Sequence, residues 1–180
     1  HLSLRRQRQM CIRDRNQNDQ VGRYLLHHTL VGCEMFVEEP VDGHIGYVAS
    51  LISRQFAETD LSRGFVNGFN FNCITSTASA GELASGWFSP SRAPWGKGHH
   101  DWFRSHFGHS IGVFAIGDDL PNPENRVTLS ATLTDSDGVP AAETHYAPGE
   151  NDKRMMNYML DRLEDLAKAC SAYELSLIHI

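Results

Sequence analysis

Two stretches carry side chains whose types and spacing could do chemistry. Trp95–Gly108 (WGKGHHDWFRSHFG) gathers His99, His100, Asp101 and His106, and His109 follows at once. Imidazoles and carboxylates bind transition metals and move protons. No H-E-x-x-H spacing is present, nor any other familiar ligand pattern. Three readings stay open: a histidine metal site, a contact from His99 or His100 to bound substrate, and an aromatic helix with solvated histidines. The second stretch, Gly64–Ile74 (GFVNGFNFNCI), alternates with the period of an extended chain. Phe65, Asn67, Phe69, Phe71 and Cys73 fall on one face; Val66, Gly68, Asn70, Asn72 and Ile74 fall on the other. Asparagine amides offer both donors and acceptors, so that second face could hold a polar ligand. A solvated face explains it as well. Asn70, Asn72, His99 and His100 are the candidate substrate-binding residues; no residue is assigned a catalytic, cofactor-binding or metal-ligating role.

Other chemistries lack their residues. There is no G-x-G-x-x-G, and Gly96-Lys97-Gly98 lacks the upstream glycine of a phosphate-binding loop. Thr77-Ala78-Ser79-Ala80-Gly81 lacks the first glycine of a nucleophile elbow. No pair of carboxylates stands in a convincing acid–base setting.

The elements that must position these groups read as an α+β domain. Thr29–Val37 and His109–Ile116 are strand-like, the second apolar on both faces and therefore central and covered on both sides. Val41–Phe56 has apolar residues at helical spacing, which predicts a short amphipathic helix. Thr75–Pro94 reads as a long loop with one helical turn. His100–Phe107 reads as a helix. Leu120-Pro121-Asn122-Pro123-Glu124-Asn125 is a stiff turn, since two prolines fix their φ angles and restrict the residues before them. Arg126–Leu129 is expected to return as a strand, and Glu143–Tyr146 to be extended. Gly149–Cys170 is the most regular helix, with Met155, Met159, Leu163, Leu166 and Cys170 on one stripe and Asn151 or Asp152 able to cap its start.

The chain has 180 residues, 41% of them hydrophobic and 21% charged, which suits one globular domain. Its ends look foreign. Residues 1–15 hold five arginines against Asp14, a composition that also fits a basic nucleic-acid-binding arm. Gln9–Arg15 (QMCIRDR) and Leu175–Ile180 (LSLIHI) resemble translated sequencing-adapter sequence, so 1–15 and 175–180 are read as adapter-derived tails around a domain at 16–174. That domain carries 11 basic and 21 acidic residues, which argues against a nucleic-acid partner. No transmembrane run or secretory signal is visible. Cys33, Cys73 and Cys170 are widely spaced and give no disulfide framework; they are expected to be buried or half-buried thiols in a reducing compartment, which slightly favours the cytoplasm.

One resemblance covers roughly residues 18–172. Leu120–Leu129 (LPNPENRVTL), then Asp137-Gly138-Val139-Pro140, Tyr146 and Asn151-Asp152 before a long helix, resemble the C-terminal, substrate-binding region of the glucose–methanol–choline (GMC) family of flavin-dependent oxidoreductases. Val21–His28 (VGRYLLHH) is similar to that family's V-G-x-N-L-x-D-H segment, departing from it at Tyr24 and His27. The resemblance implies a mostly antiparallel sheet with flanking helices, roofing the flavin of a separate Rossmann-like FAD domain of the same gene. It implies oxidation of a CH–OH group of a small-molecule alcohol or sugar, with hydride passing to FAD. It also places the FAD fingerprint before residue 16 and the catalytic histidine after the last helix, so the fragment alone is expected to be inactive and to expose a face that the FAD domain would cover. The alternative is a stand-alone ligand-binding module without catalytic activity.

Overall fold

The computed structural model describes residues 16–47, 49–74, 83 and 93–179. They divide into two compact units.

The larger unit, residues 28–118 and 150–180, is built on an antiparallel sheet. Its strands are β1 (His28–Phe36), β2 (Ala49–Ser53), β3 (Phe69–Ile74), β4 (Ser110–Asp118) and β7 (Glu174–His179), in the order β2-β3-β4-β1-β7. β4 lies in the middle, as its two apolar faces predict. Helix α1 (His99–His106) precedes β4, and α2 (Glu150–Ala169) follows the smaller unit. The α2 stripe closes one face of the sheet: Met155, Met159 and Leu163 are fully buried against Val31, Cys33, Met35, Phe69, Val113 and Ala115. Gly117 makes room for them; a Cβ there would meet the Met159 and Met155 methyl groups at 2.5 and 2.7 Å.

The smaller unit, residues 16–27 and 119–149, holds the hairpin of β5 (Arg126–Thr134) and β6 (Pro140–His145). Asp135 Oδ1 accepts the amides of Asp137 and Val139 in its turn.

Several local expectations change. Among its described residues Val41–Phe56 forms no helix: Ala49–Ser53 is an edge strand on β3, and Tyr47 is 84% exposed. Phe56 packs inward, stacked on Phe69 with ring centroids 5.0 Å apart. Only the second half of Gly64–Ile74 is strand. Asn67 takes a positive φ of 70°, and Gly68 lies so close to the chain that a Cβ would sit 2.1 Å from the Ala57 carbonyl oxygen. The return strand after the proline turn pairs with β6 in a two-stranded sheet of its own. Asn151 does not cap α2: its amide accepts from Val66 N–H at 2.9 Å and donates to Val66 C=O at 3.2 Å, anchoring the approach to β3. Cys170 is exposed, not buried. Leu175–His179, within the segment read as foreign, supplies most of β7, which pairs with β1. An open sheet edge accepts any extended segment of suitable phase, so the pairing does not bear on the segment's origin. The long loop expected over 75–94 falls mainly outside the described residues.

Candidate functional site

The strand register sorts the candidates. Asn70 pairs with Ile116, which pairs with Leu30; Asn72 pairs with Phe114, which pairs with Gly32. Because side chains alternate, these rows point away from the face that α2 covers. Asn70, Asn72, Leu30, Phe114 and Ile116 are all half-buried, so the face is neither core nor fully wetted surface. Phe114 lies across Gly32, where a Cβ would stand 2.7 Å from its ring; glycine is what lets the ring lie flat there.

One end of this face is closed. Phe36 is fully buried under Leu83, Trp102, Phe103 and Phe107, the last three from α1 and its C-terminal end. Between this plug and the open rows sits Glu34, only 1% exposed. Burying a carboxylate is costly unless other groups compensate it, which makes Glu34 a functional candidate that the sequence reading missed. The available signal was a single acid inside the nearly continuous apolar run of β1.

Asn70 differs from Asn72. Its Oδ1 is shut off from solvent and takes no hydrogen bond. Nearly all buried polar atoms in folded proteins are paired, so each exception asks for an explanation.

The structure does not bring the histidines to the asparagines. His99 and His100 occupy the first turn of α1, which packs around Phe36, and no contact joins them to Asn70 or Asn72 among the described residues. His99 Nδ1 lies 3.2 Å from Pro94 C=O. His106 is a packing residue: it stacks on Trp102 at 4.2 Å, and its Nδ1 donates to the Trp102 carbonyl at 2.8 Å. Its Nε2 faces the Glu174 carboxylate at 3.4 Å. His109 Nδ1 donates to the Val37 carbonyl at 3.1 Å. Among the described residues, no group of three His, Cys, Asp or Glu could hold a metal ion.

On the helix-covered face, a cleft of about 430 Å³ opens between the edge of the sheet and the C-terminal half of α2, lined by Leu51, Phe71, Cys73, Arg162 and Leu166 among others. The thiols of that face are quiet. Burial pushes Cys33 up to about 12, and raises Cys73 as well.

In the smaller unit the two stretches singled out by resemblance dock on each other. Val127 N–H donates to Gly22 C=O at 2.8 Å, and Leu25 N–H to Asn125 C=O at 2.7 Å. Gly22 has φ +88°, and a Cβ there would sit 2.2 Å from the Val127 carbonyl oxygen, so the contact requires glycine. Arg23 and Arg126 both bind Asp19, holding its carboxyl below the usual range. Asn122 caps the turn locally, accepting Glu124 N–H at 2.9 Å. Asn125 instead reaches Ala147, accepting its N–H at 2.9 Å and donating to its C=O at 3.1 Å. Asp119 is buried and accepts from Tyr146 O–H at 2.5 Å and His27 N–H at 3.0 Å.

No helix among the described residues is long and apolar enough to cross a membrane. No family model matches the chain. It is 42% identical over 161 residues to 2-methyl-1,2-propanediol dehydrogenase of Mycolicibacterium austroafricanum, covering 88% of this chain. It is 27% identical over 165 residues to the fructose dehydrogenase large subunit of Gluconobacter japonicus, covering 90% of this chain. The chain spans 29% of the length of each relative. Along most of its length the chain is thus similar in sequence to part of two proteins named as dehydrogenases.

Proposed function

We propose that this chain is the substrate-binding part of a GMC-type, FAD-dependent oxidoreductase that oxidises a CH–OH group of a small alcohol or sugar. The observation that carries the reading is the 42% identity to a diol dehydrogenase over 88% of the chain. Both relatives are named for compounds bearing more than one hydroxyl. The mutual docking of the Val21–Leu25 and Asn125–Val127 stretches supports it further, because two separate parts of the family resemblance form one structural unit.

The residues present suit a wall beside a flavin and substrate. Leu30, Phe114 and Ile116 are half-buried apolar groups that would exclude water from a flat ring, while Asn70 and Asn72 supply the few polar contacts of a typical small-molecule site. A bound FAD would supply the hydride acceptor for the breaking C–H bond, with the hydroxyl proton going to a base and a carbonyl compound as product. The role of this chain is to orient the alcohol and keep the site dry. The fingerprint for the FAD phosphates and the base belong to other parts of the gene product.

The test is expression of the complete gene product. A yellow protein with flavin absorbance, reducing an artificial electron acceptor when given small alcohols or sugars, is the expected result. A colourless, flavin-free protein that oxidises none of them would overturn the reading.

A further inference from the structure

We infer that Asn70 selects for a second hydroxyl, so that the preferred substrate is a diol or polyol and not an alcohol with a single hydroxyl. This rests on the oxidoreductase reading above and goes one step deeper.

Four observations converge. Asn70 lies on the half-open face, in the row with Ile116 and Leu30. Its Oδ1 is shut off from solvent and unpaired, whereas the residue as a whole is half-buried. The groups beside it in that row are hydrocarbon and cannot satisfy an amide. Asn72, next on the same face, is paired across the sheet with Phe114, so polar contacts there come from the asparagines. An unpaired amide on an apolar wall is a poor surface for an alkyl group and a good one for a hydroxyl. The terminal torsion of asparagine is broad, so the amide can turn toward a ligand at little cost. Oδ1 only accepts, so the hydroxyl that pairs with it must donate its single proton to it. The hydroxyl being oxidised must give its proton to a base elsewhere; the hydroxyl that pairs with Asn70 is therefore the one that does not react. Sites built to hydrogen-bond a substrate hydroxyl discriminate strongly against analogues lacking it.

The test compares 1,2-propanediol with 1-propanol on the complete, flavin-loaded protein. Wild type should favour the diol in kcat/KM by about tenfold or more. Asn70→Leu should remove most of that preference, chiefly by raising KM for the diol, and Asn70→Ser should restore part of it. A wild type with no diol preference overturns the inference. So does a variant that loses both substrates equally while keeping its flavin and its melting temperature. If Asn70→Leu fails to fold, Asn70→Ala decides: an unchanged ratio overturns the inference, and a ratio lowered severalfold supports it. Turnover of the diol separates the two levels, because a flavin-loaded wild type that oxidises neither substrate sinks the oxidoreductase reading itself.

Discussion

The two faces of the five-stranded sheet are made by the same strands, yet they end in opposite states. On β3, Phe69, Phe71 and Cys73 join the core beneath α2, while Asn70 and Asn72 stand on the other side, half-buried. On β4, Val113 and Ala115 are 1% and 0% exposed, whereas Phe114 and Ile116 remain half-buried. The difference lies in what covers each face. α2 brings Met155, Met159 and Leu163 to one, and α1 closes only the Phe36 end of the other. A packed face makes the strands rigid, and rigid strands can hold polar groups on the opposite face in fixed positions. Close packing is thus confined to one side of the sheet, and the other side keeps its polar groups half-buried.

That division can be broken on the packed side first. Leu163→Ala removes a fully buried side chain from the α2 stripe. It should destabilise the protein by about 2–5 kcal/mol in urea unfolding. An unchanged midpoint would mean that α2 does not hold the sheet.

The second test uses pH. Cys33 is protonated in both states at neutral pH. Its thiol titrates near 9.0 when unfolded and only at about 12 when buried. A folded value above the unfolded one means that the stabilisation is fully present below pH 9 and is lost as pH rises through that window. The loss should approach about 1.4 kcal/mol per pH unit. Comparing unfolding across alkaline pH for wild type and Cys33→Ala should show a shallower decline in the variant. Parallel declines would place Cys33 in contact with water and weaken the picture of a sealed face.

The smallest effect is expected on the half-open side. Asn72→Leu should shift stability by no more than about 0.5 kcal/mol, as substitutions away from packed groups usually do. A loss of several kcal/mol would show that the asparagine face is part of the core, and would sharpen the comparison into one between two packed faces.

The site was partly legible in advance. Alternation in FNFNCI placed Asn70 and Asn72 together on one face, because a strand has only two faces and its neighbours filled the other. The histidines were legible as a cluster only in one dimension. Once α1 forms, aromatic packing around Phe36 decides where they lie, and His106 becomes part of that packing. Glu34 was overlooked because a lone acid in an apolar strand has no local pattern; its burial depends on elements distant in sequence.

By itself the sequence determined β1, β4 and α2, since each carries an apolar period strong enough to choose its own structure. It also determined the stiff proline turn, whose geometry is covalent. Tertiary structure decided the rest. β2 is a strand because β3 offers it an edge, although its own spacing favours a helix. β5 takes β6 as its partner, and Asn125 and Asn151 spend their amides on distant backbone instead of local caps. In each case the local preference is weak, and hydrogen bonds or burial supplied from far along the chain outweigh it.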